Sequence, residues 1–103
     1  VGPIGVRVSS DLSAALKDAR ADVGVVFTSP SGAPPTVRVL IENGVAPVVG
    51  STGWYDHLPA IAALAEGNNV PVFVAPNFAL GAALMMRFAQ EAARYFEAVE
   101  IIE

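Results

Sequence analysis

Two short turns hold the residues of this chain best suited to chemistry. They are Gly50-Ser51-Thr52-Gly53 and Ala75-Pro76-Asn77-Phe78, the second continuing through Ala79-Leu80-Gly81. Each directly follows an apolar run of strand type, so both fall at the carboxyl ends of neighbouring strands, where open α/β sheets bind their ligands. The glycines flanking Ser51 and Thr52 let backbone approach a ligand closely, and the two hydroxyls donate or accept hydrogen bonds. Such a turn suits a carboxamide, which needs an acceptor for its amine and donors for its oxygen. Proline fixes its own φ and biases the residue before it toward extended backbone, so Pro76 holds Asn77 in one place. Phe78 can then lie against a planar ring. Phe27-Thr28 ends an earlier strand at the same rim. Each residue also has an ordinary structural reading: the glycine turn as a tight strand-to-helix connection, Asn77 as a helix cap, Phe78 as core. Their coincidence at three strand ends carries the functional case.

The remaining candidates are weaker. His57 is the only histidine and the chain has no cysteine, so no partner exists to complete a zinc-type site, and a capping or surface role is expected. Ser29-Pro30-Ser31-Gly32 has the composition of an anion-binding loop, but equally that of an ordinary turn. Trp54 either shields a bound ring or anchors the turn to the core. Met85-Met86 reads as filling for a core or interface.

The elements that position these turns follow from apolar periodicity. Val23–Phe27, Pro47–Val49 and Val70–Val74 are apolar runs without polar alternation, as expected of parallel strands buried on both faces. A helix over Pro34–Gly44 starts on prolines, stops on glycine and turns Val37, Leu40 and Ile41 inward. A second over Leu58–Gly67 has Asp56 as a candidate N-cap and Leu58, Ile61, Leu64 and Ala65 facing inward. Strand, helix, strand, helix, strand is the pattern of parallel crossover units. Before it, Ser10 or Asp11 caps a helix running to about Ala21, with Leu12, Ala15, Leu16 and Ala19 as its apolar stripe. After it, a helix runs from about Leu80 to Phe96. Its seam is Leu84, Phe88, Ala92 and Phe96, and its solvated side is Arg87, Gln90, Glu91 and Arg94.

Composition excludes several classes of function. Of 103 residues, 53% are hydrophobic, the net charge is −4, and the six Lys and Arg are scattered, which leaves no electrostatic footprint for nucleic acid. The longest apolar runs fall far short of the roughly 20 residues that span a bilayer. The lack of cysteine fits a cytoplasmic protein without disulfides. The start at Val1-Gly2-Pro3 and the strand-like end Val99–Glu103 suggest a piece of a longer protein.

Taken together, Val25-Val26-Phe27-Thr28-Ser29-Pro30, Pro47–Trp54 and Ala75–Gly81 running into Leu84–Phe88, then Val99–Glu103, resemble the 4-hydroxy-tetrahydrodipicolinate reductases of lysine biosynthesis. The order and spacing match over essentially the whole chain. The resemblance implies an α/β fold: the second half of a Rossmann-type parallel sheet with flanking helices, plus the start of a substrate and tetramerisation domain. Residues 1–78 would belong to the NAD(P)-binding domain, and 79–103 would form the connecting helix and the first strand of the next domain. It further implies NADH or NADPH as cofactor, a dicarboxylate substrate and a homotetrameric parent. Gly50, Ser51, Thr52, Ala75, Pro76, Asn77 and Phe78 would hold the nicotinamide end, with Phe27 and Thr28 bordering it. Ser51 stands where the family more often has threonine. The family's glycine-rich pyrophosphate loop, its paired histidines, its lysine and its S-G-T segment have no counterpart here, so no catalytic residue is assigned to this chain. The alternative is a non-catalytic binding or structural module. The usual strand order 3-2-1-4-5-6 would leave Val23–Phe27 an open edge in this chain, so self-association is expected.

Overall fold

The structure is a computed structural model and describes residues 5–98 together with Glu100 and Ile102. Helix α1 (Leu12–Ala19) is followed by strand β1 (Val23–Val26), helix α2 (Ala33–Glu42) and strand β2 (Ala46–Val49). A short 3-10 turn (Tyr55–His57), helix α3 (Leu58–Asn68), strand β3 (Phe73–Val74) and helix α4 (Leu80–Ala92) complete it. The strands form one parallel sheet in the order β1-β2-β3. Val25 lies opposite Val48, and Val48 opposite Phe73, so the three strands end together at one rim.

Alternation along the strands sorts the sheet into two unlike faces. Val26 and Val49 point into a core shared with Ala33, Val37, Leu40 and Ile41 of α2 and Ile61 and Ala65 of α3. Leu58 and Leu64 pack against its margin, so all four inward residues expected of α3 are on the right side. On the opposite face, Val23, Val25 and Phe73 are exposed, Val25 by 69%. Burial on both faces was the expectation from the apolar runs; among the described residues only one face carries helices. An apolar run records that a strand can be covered twice, not that both covering layers lie within the same stretch of chain.

Local chemistry sets the element ends. Asp11 is the cap of α1, its carboxylate accepting from the Ala14 N–H at 3.0 Å, and the helix closes at Arg20 in the left-handed region rather than near Ala21. α2 starts one residue before its prolines and ends at Glu42, with Asn43 as its C-cap. Asp56 does not cap α3: it lies inside the 3-10 turn, and the cap position falls to His57, which makes no side-chain bond. β3 is two residues rather than five, because Pro71 has no N–H to give a ladder and the Val70 N–H is taken by the Ala65 carbonyl at the end of α3.

α4 ends at Ala92, short of Phe96, and buries no residue. Leu84 and Phe88 of its expected seam are exposed, as are Met86 and Phe96; Glu100 and Ile102 line a shallow cavity with Leu84, Phe88 and Ala92 but leave the stripe largely uncovered among the described residues. The expected strand Val99–Glu103 lies partly outside the described residues, at Val99, Ile101 and Glu103. Val6 and Val8 are exposed and outside any strand.

Candidate functional site

At the rim the sheet stops exchanging hydrogen bonds before the chain leaves it. Gly50 N–H donates to Val26 C=O at 2.9 Å and Ala75 N–H to Val49 C=O at 3.1 Å. Beyond these rungs the Gly50 and Ala75 carbonyls accept from no described residue, and the N–H groups of Ser51, Thr52 and Gly53 donate to none. Backbone groups left unpaired at the carboxyl edge of a parallel sheet need water or a ligand. Two carbonyls and a run of N–H groups within a few residues are the acceptor and donor set that a carboxamide requires.

The turns are rigid for reasons that can be read residue by residue. Ser51 is 4% exposed, and its Oγ accepts from the Thr28 N–H at 2.8 Å, tying the end of β1 to the turn after β2. Its carbonyl accepts from the Trp54 indole N–H at 2.7 Å. Trp54 itself is 2% exposed and belongs to the core, so of its two readings the structure gives the anchor, not the ring shield. Gly53 has φ +74, the left-handed region that L side chains resist, and it sits against the ring of Pro30. Thr52 is exposed, with its hydroxyl free of described partners.

Three phenylalanines gather beside the turns. The Phe27 and Phe78 rings meet edge to face at 5.4 Å, and Phe73 and Phe78 at 6.1 Å. All three are at least half exposed, so Phe78 is not core. The Phe27 ring lies directly over Gly50: a Cβ at that position would overlap it, so a larger residue there would have to displace the exposed ring. Asn77 acts locally, its Oδ1 accepting from the Ala79 N–H at 2.8 Å two residues on, which leads Pro76-Asn77 into α4 without capping it; Ala79 is the cap residue. The structure therefore brings Phe27, Thr28, Gly50, Ser51, Thr52, Ala75 and Phe78 to one rim, with Pro76 and Asn77 on the adjoining turn.

The other candidates separate from this rim by role. Ser29-Pro30-Ser31-Gly32 closes on itself, Gly32 N–H donating to the Ser29 carbonyl and Oγ and Ala33 N–H to the same carbonyl, so these two N–H groups are used within the turn. Among the described residues no group of three His, Asp or Glu could hold a metal, and no helix is long and apolar enough to cross a membrane. Phe73 is the contributor that sequence reasoning missed. The signal was present in the alternation Val72-Phe73-Val74, which puts Phe73 on the face opposite the core and thus beside Phe78.

A parallel sheet with helices joining its strands and open backbone at its carboxyl edge is a Rossmann-type α/β domain. The chain belongs to the dihydrodipicolinate reductase family: the model of the family described as "Dihydrodipicolinate reductase, N-terminus" matches residues 1–78. It is 46% identical over 105 aligned positions to the 4-hydroxy-tetrahydrodipicolinate reductase of Desulfitobacterium hafniense, covering 100% of this chain and 39% of the relative. The enzyme of the same name from Moorella thermoacetica is 47% identical over 102 positions, covering 98% of the chain and 38% of the relative. Among solved structures, dipicolinate-bound dihydrodipicolinate reductase from Paenisporosarcina sp. TG-14 superposes with a TM-score of 0.76 at 37% identity, over 93% of this chain and 37% of that one. The chain thus spans about two-fifths of the length of these relatives.

Proposed function

We propose that this chain supplies the nicotinamide-side turns of an NAD(P)H-dependent reductase that converts 4-hydroxy-tetrahydrodipicolinate to tetrahydrodipicolinate on the diaminopimelate route to lysine. The observation that carries the reading is the set of unpaired backbone groups at the rim, bordered by Phe27 and Phe78, in a chain of this family. The carbonyls of Gly50 and Ala75 accept from the carboxamide amine, and the N–H groups of Ser51 and Thr52 donate to its oxygen. Phe27 and Phe78 form an apolar wall that keeps water from one side of the ring. The hydride is supplied by the bound nucleotide, NADH or NADPH; the protein contributes orientation. Residues 1–78 form the nucleotide-side domain, and 79–103 lead into a substrate and oligomerisation domain of a cytoplasmic homotetramer. The dipicolinate held by the Paenisporosarcina structure supports a small dicarboxylate as substrate.

No residue at this rim is a proton donor to the substrate, so the 103-residue chain alone is expected to show no substrate-dependent oxidation of NADH or NADPH. Grafted into the Moorella thermoacetica enzyme in place of the segment it matches, it is expected to support turnover within about tenfold of that enzyme, the equivalent of roughly 1.4 kcal/mol. A chimera that folds and binds dipicolinate yet oxidises neither nucleotide would overturn the reading. So would turnover by the isolated, mass-verified chain.

A further inference from the structure

Ser51 is buried at the rim, and its hydroxyl replaces a rung of the sheet. Parallel strands exchange evenly spaced bonds. Between β1 and β2, Ala46 N–H donates to Asp22 C=O and Gly50 N–H to Val26 C=O. With Val26 opposite Val49, the next rung of the series is Thr28 N–H to Gly50 C=O. It is not made. Thr28 N–H instead donates to Ser51 Oγ at 2.8 Å, the Ser51 hydroxyl lies 3.4 Å from Val26 C=O, and Gly50 C=O accepts from no described residue. The residue whose oxygen is left free is the one the Phe27 ring lies over, at its Cα.

We infer that Ser51 is a positioning residue: its side chain takes the Thr28 N–H away from Gly50 and so keeps the Gly50 carbonyl open to the carboxamide amine of a bound nicotinamide. The inference rests on the nicotinamide reading of the rim. Its physical content is separate, because the hydroxyl decides which of two acceptors the Thr28 N–H uses. Removing it frees that part-buried N–H to return to Gly50, the acceptor of the next rung of the ladder. Threonine at this position would keep the acceptor; alanine would not.

The test uses the isotope-labelled 103-residue chain in a Val25→Lys background, which puts a charge on the uncovered sheet face to keep it monomeric and is wild type at position 51, with nicotinamide mononucleotide as probe. Without ligand, the wild-type chain is expected to show no coupling through a hydrogen bond between the Thr28 amide nitrogen and the Gly50 carbonyl carbon, and Ser51→Ala is expected to show one. The dissociation constant for the probe should rise about three- to tenfold in Ser51→Ala, the loss of one neutral hydrogen bond, and stay at the wild-type value in Ser51→Thr. A Thr28–Gly50 coupling in the wild-type chain would overturn the inference, and that measurement stands even if Ser51→Ala fails to fold. A wild-type response to the probe that Ser51→Ala keeps in full would overturn the positioning role alone. A probe that leaves the wild-type rim unperturbed would remove the nicotinamide reading and the inference with it.

Discussion

Trp54→Ala is expected to lower stability by about 3–5 kcal/mol, the range for truncating a buried large aromatic. The indole is 2% exposed, packs in the core with residues of α2 and α3, and donates its N–H to the Ser51 carbonyl at 2.7 Å. The substitution therefore opens a cavity and leaves the Ser51 carbonyl unpaired. Small domains have only about 5–15 kcal/mol in total, and among the described residues only one face of the sheet is covered, so much of the population should be unfolded near physiological temperature. Trp54→Phe keeps most of the bulk and loses the hydrogen bond, so a smaller cost of about 1–3 kcal/mol is expected. Urea unfolding followed by far-ultraviolet circular dichroism measures both. A Trp54→Ala unfolding free energy within about 1 kcal/mol of wild type would mean that the indole is not the anchor of the turn.

The second large effect is on association. Among the described residues, Val23, Val25, Phe27 and Phe73 share one uncovered face, and β1 is an edge strand with free ladder groups. Burying such side chains yields about 1.5–3 kcal/mol each, and edge pairing adds backbone bonds, so the 103-residue chain should self-associate at micromolar concentration. Val25→Lys places a charge in the middle of that face, where the native side chain is 69% exposed and touches little. It should restore monomer while leaving unfolding within about 0.5 kcal/mol of wild type. Sedimentation velocity across a hundredfold concentration range would show this. A wild-type chain that sediments as monomer throughout, or a Val25→Lys chain that associates equally, counts against the bare face as the contact.

What was legible in the sequence was what the chain does within a few residues of itself. The proline-led starts of α2 and α3, the inward set Val37, Leu40, Ile41 and Ile61, and the Asp11 cap were each dictated locally and stand in the structure. The site turns were legible because glycine and proline restrict backbone in ways that sequence reports directly. The misses depend on distant partners. Whether Val25 or Leu84 is covered depends on segments elsewhere, and apolar character alone cannot say which segments these are. Ser51 was read as a possible ligand donor, but its hydroxyl faces Thr28, 23 residues away in sequence, a relation fixed only by the pairing of β1 with β2. Asp56 satisfied the composition rule for a cap, yet the 3-10 turn moved it inside the element.

The central claim is that the rim formed by Gly50–Gly53 and Ala75–Phe78 receives the nicotinamide end of a dinucleotide. Amide chemical shifts of the labelled Val25→Lys chain, titrated in parallel with nicotinamide mononucleotide and adenosine monophosphate, test it most directly. The chain lacks a glycine-rich pyrophosphate loop, and losing two or three charge-assisted bonds at about 1.5–3 kcal/mol each puts the expected affinity near millimolar, within reach of this titration. Nicotinamide mononucleotide should shift Ser51, Thr52, Gly53, Phe78 and the Trp54 indole, while the adenine nucleotide should leave them in place. Tighter binding of the adenine nucleotide, or nicotinamide-dependent shifts confined to residues away from these two turns, would contradict the account.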